Sequence, residues 1–133
     1  MKKRILIIDD DEMSCDELSE VFADESYEVL QAFDGIEGKR LIEAGPYDII
    51  LLDLMLPGMS GFDLLKILKK MYACVKCLVI TSKPLELAHL REGAPYVSDE
   101  YETLKMADGV IFKPFNIKAL ICRVQELCEH AEK

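Results

Sequence analysis

Four short apolar runs each end in residues able to do chemistry. Ile5–Ile8 is followed by Asp9, Asp10 and Asp11, and Ile49–Leu52 by Asp53. Cys77–Ile80 is followed by Thr81 and Ser82, and Val110–Phe112 by Lys113. Carboxylates gathered in one place repel one another and hold their protons more tightly unless a cation joins them. A compact, all-oxygen donor set suits Mg²⁺, which keeps waters and takes one or two carboxylates together with phosphate oxygens. A lysine can pair with a carboxylate or a phosphoryl oxygen, and a threonine hydroxyl can donate to the same group. A carboxylate nucleophile, a divalent cation and a lysine are the parts that phosphoryl transfer needs, because its catalysis is positioning and charge stabilisation. Each residue alone is ordinary: an Asp after a strand caps a helix or makes a turn. Their arrival at successive run ends is the signal.

The elements that must position them can be read from periodicity. The apolar runs are near-continuous rather than alternating, as in strands of a parallel sheet covered on both faces, and Val110–Phe112 is a shorter run of the same kind. Tyr27–Phe33 is more mixed and reads as a strand nearer an edge. Helical patterns lie between the runs. Met13–Ala23 sets Leu18, Val21 and Phe22 against Asp16, Glu17 and Glu20. Gly35–Ala44 starts at Asp34 and stops at Gly45-Pro46. Phe62–Met71 sets Phe62, Leu65 and Leu68 against Lys66, Lys69 and Lys70. Asn116 is an N-cap for a last helix to about His130, with Ile117, Leu120, Ile121, Val124, Leu127 and Cys128 on its apolar side. The pattern predicts an α/β fold: a doubly wound, five-stranded parallel sheet with helices on both faces. In such sheets ligands bind outside the carboxyl ends of the strands, so the four run ends are expected at one edge. The segment 83–108 contains Pro84, Gly93 and Pro95, and no single helix can span Pro95. One or two short helices with a loop through Gly93–Asp99 are expected there.

Composition narrows the function classes. A chain of 133 residues fits one domain, 1–133. Its net charge of −9 argues against direct nucleic-acid binding, which needs a positive footprint. An acidic balance suits basic partners or a bound cation. No stretch approaches the roughly 18 unbroken apolar residues of a membrane span. Met1-Lys2-Lys3-Arg4 resembles the start of a signal peptide, but Ile5–Ile8 is too short for its apolar region. The five cysteines, Cys15, Cys74, Cys77, Cys122 and Cys128, show no disulfide framework, which points to reduced thiols in a cytoplasm. Cys74-x-x-Cys77 lacks the second pair of a zinc site, so the cysteines read as fillers of apolar positions. Gly38-Lys39 is followed by Arg40 and preceded by Phe33 where a phosphate-binding loop needs glycine. A phosphohydrolase of another α/β family wants Asp-x-Asp at a strand end. Asp53-Leu54-Met55 does not supply it, and Asp9-x-Asp11 does so only within an acidic run.

Across essentially its whole length the chain resembles the receiver (CheY-like, flavodoxin-like) domain of bacterial two-component response regulators. The resemblance rests on Ile7-Ile8-Asp9-Asp10, on Tyr47-Asp48-Ile49-Ile50-Leu51-Leu52-Asp53-Leu54-Met55-Leu56-Pro57-Gly58-Met59-Ser60-Gly61, on Ile80-Thr81-Ser82 and on Phe112-Lys113-Pro114-Phe115. It implies that Asp53 accepts a phosphoryl group from a sensor histidine kinase or histidine phosphotransfer protein. It implies Mg²⁺ held by Asp10 directly, by Asp9 largely through water, by Asp53 and by the backbone carbonyl of Met55. Thr81 and Lys113 would contact the phosphoryl group, and the Lys113–Pro114 peptide bond would be cis. Pro57 and Gly58 would shape the loop after the acceptor, and Gly61 would open the next helix. Asp11 would be structural or weakly electrostatic. Met55 and Lys83 occupy positions thought to tune dephosphorylation. Such a chain catalyses its own phosphorylation and dephosphorylation but is not a multiple-turnover enzyme. Its output would pass to a downstream protein or a fused output domain.

Two departures stand out. The position three before Lys113, where the family usually has a switch aromatic, is Val110. Thr81 and Lys113 lie 32 positions apart (113 − 81), a longer gap than usual, so the region between the fourth and fifth strands is enlarged. A remodelled face and an atypical homodimer are expected from it. The competing reading is a receiver-like interaction module that works without phosphorylation.

Overall fold

The computed structural model describes residues 2–81 and 103–131. The expectations for Ser82, Lys83 and the loop through Gly93–Asp99 lie outside the described residues, as does most of the face on which the atypical dimer rests. The elements are β1 (Lys3–Ile8), α1 (Glu12–Asp24), β2 (Tyr27–Ala32), α2 (Gly35–Glu43), β3 (Ile49–Asp53), α3 (Gly61–Met71), β4 (Lys76–Thr81), β5 (Gly109–Phe112) and α4 (Ile117–Ala131). The five strands form one parallel sheet in the order β2-β1-β3-β4-β5. The doubly wound fold expected from the apolar runs is the observed one.

Alternation within the central strands divides the core in two. Ile5, Ile7, Ile49, Leu51, Leu78 and Ile80 face α1 and α4, where Cys15, Leu18, Phe22, Leu120 and Val124 meet them. Leu6, Ile8, Ile50, Leu52, Cys77 and Val79 face α2 and α3, where Ile42, Leu64, Leu65 and Leu68 meet them. Every residue of β3 is buried. Each fully buried Leu or Ile contributes about 1.5–3 kcal/mol, so β1, β3 and β4 hold their ends in place rigidly. A central strand needs no polar face, which explains why these runs do not alternate in sequence.

The helix starts are locally encoded. Asp34 Oδ1 accepts from the Glu37 amide at 2.7 Å, and Asn116 Oδ1 from the Ala119 amide at 3.2 Å. Ser60 caps α3 through the Asp63 amide at 3.2 Å. Each cap satisfies an amide that the first helical turn leaves without a partner.

Two expectations need correction. β5 is an edge strand with Phe112 exposed, not a strand buried on both faces like the central three. Cys15, Cys77 and Cys128 do fill apolar positions, but Cys74 and Cys122 are exposed.

Candidate functional site

Asp9 directly follows β1, Asp53 ends β3, Thr81 ends β4 and Lys113 directly follows β5. Ile8 lies opposite Leu52, Asp53 opposite Ile80 and Thr81 opposite Phe112, so the strand ends are level. Asp53 and Thr81 are thus the final residues of their strands rather than the first beyond them.

Carboxylate oxygens of Asp9, Asp10 and Asp53 lie within 4.8 Å of one another. Asp9 and Asp53 are buried, at 3% and 6% exposure, and Asp10 is exposed. Lys113 Nζ bridges the buried pair, at 2.7 Å from Asp9 Oδ2 and 3.1 Å from Asp53 Oδ2. The other oxygen of each pairs with a backbone amide two residues on. Asp11 N donates to Asp9 Oδ1 at 3.0 Å, and Met55 N donates to Asp53 Oδ1 at 2.9 Å. Both carboxylates are therefore fixed by four hydrogen bonds that leave them side by side.

Burial raises the Asp53 carboxyl above its ordinary value, and the charge of Asp9 adds to this, against the Met55 amide and Lys113. Burial pulls the Lys113 ammonium down, but its hydrogen bond to Asp9 and the charge of Asp53 carry it above its ordinary value. Lys113 stays charged, and three carboxylates against one ammonium leave a net charge of −2. That deficit and the all-oxygen donor set fit a divalent cation. Carboxylate oxygens this near one another can reach a single small cation.

Asp11 has a structural task. Its Oδ1 accepts from the Met13 and Ser14 amides at 3.1 and 3.3 Å, and its Oδ2 from Ser14 Oγ at 3.0 Å. It is the N-cap of α1, and the Ser14 bonds lower its pKa. Beneath it, Cys15 Sγ lies 3.3 Å from the Asp9 carbonyl, and burial raises that thiol to about 12. Thr81 is buried, the Lys113 amide donates to its carbonyl at 2.9 Å, and the Lys113–Pro114 bond is cis. Val110 is half-buried on the α2–α3 side of the sheet, opposite Val79. Phe112, one residue before the lysine, lies opposite Thr81.

Sequence reasoning missed two residues, Asp108 at the opposite, amino-terminal edge of the sheet and Gly35 beside the site. Asp108, just before β5, accepts from Lys69 Nζ at 2.7 Å and from the Cys77 amide at 2.8 Å. Gly35 sits against the loop that follows Asp53, with its amide 3.0 Å from the Pro57 carbonyl. A glycine directly after an N-cap was the only signal for the second; nothing local marked the first.

The chain matches the family model described as response regulator receiver domain over residues 5–125. It is 35% identical over 130 residues to the transcriptional regulatory protein CiaR of Streptococcus pneumoniae, covering 98% of this chain and 53% of that protein. A CheY-like receiver domain protein from Methanospirillum hungatei superposes with a TM-score of 0.83 at 31% identity, covering 99% and 98% of the two chains. The response regulator TrrA of Thermotoga maritima, solved in complex with Mg²⁺-BeF, superposes with a TM-score of 0.76 at 29% identity, covering 96% and 99%. The chain belongs to the receiver domain family of two-component response regulators. It spans about half the length of the curated relatives it matches. Among the described residues no helix is long and apolar enough to cross a membrane.

Proposed function

We propose that this receiver accepts a phosphoryl group on Asp53 from a phosphohistidine of a sensor kinase or phosphotransfer protein, with Mg²⁺. The observation that carries the reading is the cluster of Asp9, Asp10 and Asp53 within 4.8 Å, with Lys113 Nζ 3.1 Å from Asp53. An Asp53 carboxylate oxygen attacks phosphorus, the P–N bond to the imidazole breaks, and the imidazole nitrogen keeps the electron pair. Mg²⁺, held by Asp9, Asp10, Asp53 and the Met55 carbonyl, would offset the charge on the phosphoryl oxygens. Lys113 follows the charge by moving its hydrogen bond from Asp53 to a phosphoryl oxygen, and the Thr81 hydroxyl donates to another. The Met55 amide holds the non-attacking carboxylate oxygen and so aims the other one. The chain takes up one phosphoryl group per Asp53 and later hydrolyses it, rather than turning over a separate substrate. Its signal passes to a downstream protein or a fused output domain, in a cytoplasmic setting.

The reading as a phosphorylation-independent module is not favoured, because Asp9, Asp10, Asp53 and Lys113 gather at one edge of the sheet. Incubation with Mg²⁺ and a small acyl phosphate, followed by intact mass measurement, tests the proposal. One phosphoryl group is expected on the parent chain and none on Asp53→Ala. An unchanged parent mass, or the same gain in Asp53→Ala, would overturn it.

A further inference from the structure

We infer that Gly35, at the start of α2, is a positioning residue for the acceptor loop 54–60 and hence for the Met55 carbonyl. The inference rests on the Mg²⁺ reading of the site. The loop is tied at one end by Met55 N to Asp53 Oδ1 at 2.9 Å and at the other by Gly61 N to the Leu54 carbonyl at 3.1 Å. In its middle Met59 N donates to the Pro57 carbonyl at 3.1 Å, and the same carbonyl takes a second bond from outside the loop. Gly35 N donates to the Pro57 carbonyl at 3.0 Å, and the two backbones touch there. A Cβ on Gly35 would stand 2.0 Å from the Met59 carbonyl oxygen and 2.7 Å from its carbon. Those are backbone atoms, so the loop itself would have to move. Ile36 completes the contact by lying over Gly58: its Cγ1 is 3.3 Å from where a Gly58 Cβ would be. Gly58 has φ +85°, a conformation that holds the loop to this path and that other residues resist.

The support behind Gly35 is stiff. Asp34 caps α2, the Gly38 amide donates to the Asp34 carbonyl at 2.9 Å, and Ile42 buries the helix in the core. Helix α2 therefore acts as a fixed stop against which the loop rests. The same helix provides an internal control. A Cβ on Gly38 would meet Ile8 Cγ2 at 3.1 Å and Leu64 Cδ1 at 3.2 Å, which are side-chain ends in the core and not loop backbone.

The test is the Mg²⁺ affinity of the folded parent, Gly35→Ala, Gly38→Ala and Ile36→Ala by titration calorimetry, below the melting point of each. The amide NMR shift of Met55 is followed alongside. Gly35→Ala is expected to bind Mg²⁺ roughly tenfold more weakly, the size of effect seen when a ligand's supporting contact is lost. Its Met55 amide should shift before any metal is added. Ile36→Ala should show a smaller loss, and Gly38→Ala should lose stability while keeping the parental affinity. A purely structural role would lower the melting temperatures and leave affinity alone. Parental affinity in Gly35→Ala overturns the inference while the metal reading stands. If Gly35→Ala does not fold, parental affinity in Ile36→Ala overturns it. A parent that does not bind Mg²⁺ overturns the metal reading, and this inference with it.

Discussion

Asp53 is held as an anion in surroundings that oppose its charge. Its folded-state pKa is raised, chiefly by burial and then by Asp9. A raised carboxyl pKa means that the folded chain binds the proton more readily than the unfolded chain. The stabilising effect is present below the unfolded value near 3.8 and is lost as pH rises through the folded value. Above the folded value the parent carries the penalty of the buried charge. Asp53→Asn removes it, and Lys113 keeps its 2.7 Å partner in Asp9. Urea unfolding without metal should show Asp53→Asn more stable by about 1–2 kcal/mol at pH 7, within the ordinary range for single substitutions. The gain should vanish as the pH approaches the unfolded value. Equal stabilities at pH 7 would contradict this account. Asp9, Asp10, Asp53, Thr81 and Lys113 were legible in the sequence because each follows or closes an apolar run. Gly35 was not, because its partner Pro57 lies on another element and the contact is between backbones.

At the scale of elements, one carboxylate anchors the start of β5, which is otherwise held by its ladder with β4. Asp108 takes hydrogen bonds from Lys69 of α3 and the Cys77 amide of β4, and Lys76 Nζ lies 3.8 Å away. Its own amide donates to the Cys77 carbonyl at 2.8 Å. Asp108 thus fixes the start of the edge strand whose far end delivers Lys113. Asp108→Ala leaves the half-buried Lys69 ammonium, among the described residues, with the Val75 carbonyl at 2.9 Å, and removes the Asp108 partner of the Cys77 amide. A loss of about 2–3 kcal/mol is expected, the cost of leaving a buried polar group and a charge without partners. Hydrogen exchange should quicken at the Cys77 amide, and Asp108→Asn, which can still accept from that amide, should lose less. Unchanged exchange at Cys77 would dismiss this role. Among the described residues the sequence shows where the strands and helices lie to within a residue or two, because apolar periodicity is strong in this fold. It does not show how deeply β5 is buried, since that follows from β5 being last in the sheet order. Nor does it show the Lys69–Asp108 pair, whose members stand 39 residues apart.

For the whole molecule, the proposed Mg²⁺ site at net charge −2 would couple stability to its cation. Mg²⁺ would bind the folded arrangement of the β1 and β3 ends and not the unfolded chain. At 100 times its dissociation constant it should raise unfolding free energy by about 2.7 kcal/mol. Melting curves across a Mg²⁺ series should rise logarithmically, and Asp10→Ala should flatten the rise with little effect on the metal-free melting temperature, because Asp10 is exposed. A parent curve indifferent to Mg²⁺ would refute this coupling.

Lys113 lies 104 positions from Asp9 and 60 from Asp53. A ribosome therefore makes the carboxylates long before the ammonium that balances them. Until β5 docks, Asp9 and Asp53 would face each other without the Lys113 ammonium that bridges them. Docking the last strand brings the Lys113 ammonium between Asp9 and Asp53 and lowers the charge deficit by one. On the proposed reading, a copy whose β5 has not docked would lack the Lys113 contact to Asp53 and so would be a poorer phosphoryl acceptor.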